Sequence, residues 1–147
     1  VQTSIYHYSG INKMIQFEVR HWCTNEEDGA GVGNIFYGSE GYMVVKGYDH
    51  YQIYLGQKRE KGPTRKAGGD HYANWIKAIR SRKTTDQNGP VETAHLASSL
   101  AHLGNISYRL GRQLDFDPKT ERFVSDGEAN KMIKRNYRAP FVVPEKV

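Results

Sequence analysis

Apolar positions recur along this chain with two different periods, and the change of period divides it. Residues 14–23 alternate, with Ile15, Phe17, Val19 and His21 on one side and Gln16, Glu18, Arg20 and Trp22 on the other. That is the signature of a half-buried strand. Residues 4–8 read as a shorter strand before it, and 32–37, 42–45 and 51–55 as further strands. Glycine-rich or polar turns at 24–33, 38–41 and 47–50 separate them. Short strands joined by tight turns predict an antiparallel meander. The charged stretch 57–69 predicts a mobile loop.

After Gly69 the period lengthens to that of a helix. Tyr72, Trp75, Ile76 and Ile79 fall at i, i+3, i+4 and i+7, behind Asp70, a residue type that caps free amides at a helix start. Lys77, Arg80, Arg82 and Lys83 gather at the far end, where cations suit the helix dipole. Residues 84–88 read as a polar loop. A second helix starts at Gly89-Pro90, with Glu92 in its first turn, and runs to Gly111, a left-handed terminator. It carries Leu96, Leu100, Leu103 and Leu110 on one face and the small residues Ala94, Ala97, Ala101 and Gly104 on another. The small face admits a close backbone neighbour. A helix apolar on two faces predicts the core helix of the domain. Beyond it, 114–116 reads as a short extended piece stopped by Asp117-Pro118. Ser125-Asp126-Gly127-Glu128 resembles a capping box before a short helix at 128–133. The proline-bearing tail, 137–144, predicts extended chain lying over a surface. The fold class expected is α+β: an open, mainly antiparallel sheet, two packed helices, a short C-terminal helix and an extended tail, in a single domain over 1–147.

Composition adds limits. With 147 residues, one core of useful size can form. The net charge is +5, which raises nucleic-acid binding. The cations are scattered, however, apart from the run from Lys58 to Lys66 and the end of the first helix, and Glu26, Glu27 and Asp28 interrupt them. A solvated basic face, or one that meets an acidic part of a longer protein, is the simpler expectation, so neither a nucleic-acid nor a membrane partner is expected. Cys23 is the sole cysteine, leaving no internal disulfide and no cysteine metal cluster. A single cysteine is compatible with a reducing compartment, and the cytoplasm is favoured; an export signal ahead of residue 1 stays open. The start at Val1 rather than Met fits a chain processed or cut from something longer.

Candidate chemistry is sparse. Gly29-Ala30-Gly31-Val32-Gly33 invites comparison with a dinucleotide fingerprint, but that mechanism needs a strand before the glycines and a helix after them. Here an acidic loop precedes and a strand follows, so a hairpin turn is expected. His95 and His102 lie on one face of the second helix, about 10 Å apart along its axis. That is too far to share one metal ion, and buried histidines bonded to neighbours are expected. Asp70-His71 at a helix start is the more interesting pair, because an imidazole beside a helix N-terminus can polarise an oxygen. Glu92 could partner His71 or His95.

The run from Gly69 to Lys83 (GDHYANWIKAIRSRK) resembles a helix found late in oxidoreductases of the Gfo/Idh/MocA type. So do Gly104-Asn105-Ile106-Ser107-Tyr108-Arg109-Leu110-Gly111-Arg112, Phe116-Asp117-Pro118 through Phe123, Asp126 with Glu128-Ala129-Asn130, and Tyr137-Arg138-Ala139-Pro140-Phe141. Upstream, Val32-Gly33-Asn34 and Phe36-Tyr37-Gly38-Ser39-Glu40-Gly41 fit that family's sheet. The resemblance implies a two-domain enzyme. A Rossmann domain would bind NAD(P), and a C-terminal domain with an open antiparallel sheet would shape a sugar or polyol site and pair subunits through the sheet. This chain resembles the later part of that second domain.

The family's catalytic lysine sits in a Glu-Lys-Pro motif of the cofactor domain. Glu60-Lys61-Gly62-Pro63 is interrupted and does not match it. The expected function is therefore a C-terminal portion of an NAD(P)-dependent sugar or polyol oxidoreductase. It would form cleft wall and subunit interface, bind no NAD(P) or metal itself, and be inactive alone. Catalytic residues stay unassigned, and His71, Asp70 and His95 are the substrate-cleft candidates. Its partners would be the Rossmann domain, the substrate and further copies of itself. The alternative is a stand-alone dimerising module without catalysis.

Overall fold

A computed structural model describes residues 1–21 and 26–144. The chain divides into two compact units, one formed by residues 1–2 and 18–90, the other by 3–17 and 91–147. The class is α+β with antiparallel sheets, as expected.

The first unit is built on a four-stranded antiparallel meander: β3 (Gly33–Tyr37), β4 (Gly41–Lys46), β5 (His50–Leu55) and β6 (Glu60–Lys66). The register places Ile35, Val44 and Gln52 in line across three strands, and Tyr37, Tyr42 and Tyr54 in line beside them. Val44, at the centre of that face, is fully buried. The three tyrosines form a ladder, with ring centroids 5.8 Å apart between Tyr37 and Tyr42 and 5.1 Å between Tyr42 and Tyr54. The Arg59 guanidinium sits 5.5 Å from the Tyr42 ring centre and pairs with Asp28, tying the turn before β3 to the β5–β6 turn.

Strand β6 replaces the mobile loop expected over 57–69. Its sequence, EKGPTRK, has no large apolar side chain. Pairing with β5 needs none, because an edge strand is held by backbone bonds and can expose charge on both faces. The ladder slips between Gln52 and Tyr54, and the Gln52 amide fills the gap by donating to the Ile53 carbonyl (2.7 Å) and the Gly62 carbonyl (3.0 Å).

Helix α1 (His71–Ser81) follows, capped by Asp70. A short 3-10 turn at Thr84–Asp86 folds back on it. The Asn74 amide donates to the Asp86 carbonyl (2.6 Å) and accepts from the Asn88 amide (3.1 Å), while Lys77 pairs with Asp86 at 3.0 Å. The polar side of α1 is thus its inner side. Ala78 is buried there, and the apolar stripe faces outward, with Tyr72 69% and Trp75 64% exposed.

The second unit holds β1 (Gln2–Tyr8) and β2 (Lys13–Val19), paired as a hairpin separate from the meander, with Gln2 and the last two residues of β2 assigned to the first unit. The alternation read over 14–23 gives a strand that ends at Val19, and its last positions, Trp22 and Cys23, lie outside the described residues. The strand is less buried than its pattern implies, since Ile15 and Phe17 remain exposed.

Helix α2 (Val91–Leu110) is a core helix only in its C-terminal half. Ile106 is buried with Phe123 and Ala129 and packs beside Leu103, Leu110, Leu114, Phe116 and Met132. Leu96 and the first two turns are exposed. The small-residue face does admit a close neighbour, at Gly104, where Tyr6 and Ser4 of β1 meet the helix. Strands β7 (Phe116–Asp117) and β8 (Arg122–Phe123) form a tight hairpin, with the Phe116 and Phe123 rings edge to face at 5.3 Å. Asp117 closes its turn by accepting from the Lys119 amide and the Thr120 hydroxyl.

Helix α3 (Gly127–Lys131) is capped by Asp126 rather than by Ser125. Asp126 accepts from the Ala129 amide at 3.0 Å, which puts alanine where a capping box needs Glu. Glu128 instead meets Arg112 at 3.1 Å. The Asn130 amide bonds both the Phe123 N–H (3.0 Å) and its carbonyl (2.8 Å), standing in for a neighbouring strand. Residues 137–144 are not helical, in keeping with their prolines.

Candidate functional site

Asp70 and His71 stand where strand β6 gives way to α1. The Asp70 carboxylate accepts from the Tyr72 amide (2.9 Å) and the Ala73 amide (3.0 Å), both through Oδ1. That satisfies two of the free donors of the first turn and places a negative charge at the positive end of the helix. Asp70 is thus a cap. His71 comes next, its ring 4.2 Å from the ring of Tyr72. It lines an open cleft of about 480 Å³ together with Tyr48, Gly69 and Asn88.

Bonds from α1 fix the segment that carries Asn88. Asn74 holds the Asn88 backbone, Lys77 holds Asp86, and the β4–β5 turn brings Tyr48 to the rim. Asp86 is held below the usual carboxylate range by its bond from Lys77, and by Ser81, so it stays charged in this role. An imidazole, a phenol and a carboxamide around one cleft can each donate to or accept from hydroxyl groups. Tyr48 and Asn88 were not expected from sequence, because nothing in 47–50 or 84–88 distinguishes them from ordinary turn residues. The usable signal was Asn74, a polar residue on the side of α1 opposite the apolar stripe.

His95 lies in the second unit. Its Nε2 meets Glu121 Oε1 at 2.8 Å, and the side chain is about half exposed. Its partner is Glu121, not Glu92. His102 is exposed as well, so neither histidine of α2 is the buried residue expected. The helix is solvated along the turns that carry them, which spacing alone does not reveal. Among the described residues no three His, Cys, Asp or Glu side chains stand together so as to hold a metal ion.

A nicotinamide dinucleotide would need a glycine turn running into a helix N-terminus. The run Gly29-Ala30-Gly31-Val32-Gly33 does not fit that group: Glu27 and Ala30 bridge to form a turn, and the glycines lead into strand β3. The helix starts are also unsuited to phosphate, since Asp70 caps α1, Asp126 caps α3 and Glu92 sits in the first turn of α2.

The second unit is locked by charge. Arg112, just past α2, pairs with Asp126 and Glu128 at the start of α3. Arg112, together with the Ala129 amide, holds the Asp126 carboxyl at about 2. This cluster fastens the end of α2 to the start of α3.

Among known families, residues 34–143 match the model described as the oxidoreductase family, C-terminal alpha/beta domain, of the Gfo/Idh/MocA type. No curated protein and no solved structure matches the chain.

Proposed function

Because the chain belongs to the Gfo/Idh/MocA oxidoreductases, as their C-terminal alpha/beta domain, we propose that it supplies the substrate side of a nicotinamide-dependent enzyme acting on a sugar or polyol. The hydride would pass between a carbinol carbon and a nicotinamide held by a separate Rossmann domain. The observation that carries this reading is the cleft at the start of α1, whose His71, Tyr48 and Asn88 offer several hydroxyl-binding groups on one open wall. The poor fit of Gly29–Gly33 to a pyrophosphate supports assigning the cofactor to another part of the enzyme. Pairing of subunits through the meander belongs to the same proposal, supported by the apolar patch of Phe36, Met43, Ile53 and Leu55 on one sheet face.

Two measurements on this chain test the parts separately. Titration calorimetry with NAD, NADP and their reduced forms is expected to show no saturable binding, and saturable binding overturns the division of labour. Proton–nitrogen spectra of the histidine rings, recorded with a panel of sugars and polyols, are expected to show a shift at His71 that disappears in His71→Ala. A panel that leaves His71 unmoved overturns the substrate assignment.

A further inference from the structure

We infer that helix α1 is a self-association surface, binding α1 of a second copy of this chain in antiparallel orientation. The helix is turned inside out relative to an ordinary amphipathic helix. Its polar residues Asn74, Lys77 and Ser81 bind the 3-10 turn or the helix's own last turn, while Tyr72, Trp75, Ile76 and Ile79 are 69%, 64%, 44% and 43% exposed. Two aromatic and two aliphatic side chains in one outward stripe are a patch that water does not favour.

Charge and pattern together select the occupant. The stripe positions are symmetric about the point between Trp75 and Ile76. A two-fold axis there sets Tyr72 over the second copy's Ile79 and Trp75 over its Ile76, ring against branched aliphatic in every pair. Such a crossing also brings the N-terminal end of each helix to the C-terminal end of the other. Asp70, whose Oδ2 is not used in the cap, then faces Arg80, with Arg82 just beyond. The helix dipoles oppose favourably in the same arrangement. An acidic peptide or an anionic lipid surface would suit the cations but would meet Asp70 with like charge.

The area sets the strength. The four side chains expose on the order of 450 Å² per copy, so a symmetric contact hides about 900 Å², below the range of stable specific interfaces. A weak, concentration-dependent dimer is the expected result.

Sedimentation from about 10 µM to about 1 mM reads this range. The Phe36→Glu chain, in which pairing through the sheet face is removed, is expected to shift from monomer toward dimer, and the further variants are made in that background. Trp75→Glu should raise the dissociation constant more than tenfold, and Arg80→Gln about two- to fivefold, as an exposed ion pair allows. Asp70→Asn, which keeps a capping side chain, should match Arg80→Gln, and the double variant should be no weaker than either single one. Melting curves by circular dichroism confirm that each variant is folded. A chain monomeric throughout overturns the inference. So does association of the Phe36→Glu chain that is unchanged by Trp75→Glu, or independent effects of Asp70→Asn and Arg80→Gln.

Discussion

Replacing Gly104 with alanine tests a close contact between β1 and α2 in the second unit. A glycine inside a helix is normally a weak point, and alanine there gains about 1 kcal/mol from propensity alone. In α2 the gain is opposed. A Cβ on residue 104 would lie 2.5 Å from the Tyr6 hydroxyl, 2.6 Å from Ser4 Oγ and 2.9 Å from Ser4 Cβ. The Tyr6 hydroxyl also donates to the Leu100 carbonyl, so it cannot retreat without giving up that bond. Overpacking costs about 1–3 kcal/mol and the lost hydrogen bond about 1 kcal/mol. The net expectation for Gly104→Ala is a loss of about 1–3 kcal/mol. At about 4–8 °C per kcal/mol for a unit of this size, the melting midpoint of the second unit should fall by several degrees or more. Urea and thermal denaturation followed by circular dichroism measure it. The same substitution in a Tyr6→Phe, Ser4→Ala background should cost less, since the two nearest of the three atoms it strikes, the Tyr6 hydroxyl and Ser4 Oγ, are gone and only the Cβ of residue 4 remains. A Gly104→Ala protein as stable as the parent, or an undiminished penalty in the double background, refutes the account.

Two further outcomes follow from the helix caps. Asp70→Ala should destabilise the first unit by about 1 kcal/mol through two lost amide bonds, with faster amide exchange in the first turn of α1, whereas Asp70→Asn should lose little; equal effects of the two would deny the cap its role. Asp126 is held at about 2, below the usual carboxylate value, so its stabilising charge is complete above about pH 4 and is lost as pH falls through 2. The stability gap between the parent and Asp126→Asn, which keeps a capping side chain, should therefore be widest above pH 4 and close near pH 2, and a gap constant from pH 6 to pH 2 would contradict it.

The helices and three of the four meander strands were legible because their apolar spacing repeats cleanly and their ends carry strong signals, such as Asp70 and Gly111. What sequence could not show was which way a stripe points. The pattern of Tyr72, Trp75, Ile76 and Ile79 specifies a helix with one apolar side, yet Asn74 and Lys77 find partners on the inner side and turn that stripe outward. Strand β6 escaped for the opposite reason. Its stability comes from backbone pairing and the Gln52 amide, and neither leaves a hydrophobic pattern. In the candidate site, His71 was visible as a histidine at a helix start. Tyr48 and Asn88 became its neighbours only through folding of the turns that carry them.

The two margins of the meander are not equivalent. Along β6, Glu60, Lys61, Arg65 and Lys66 surround a proline that has no amide hydrogen to offer. Another strand arriving there would have to strip water from those charges and leave its own backbone partly unpaired. Along β3, the sequence GNIFY presents neither a charge nor a proline. Enlargement of this sheet is thus steered to a single flank, and whatever extends it must do so beside residues 33–37.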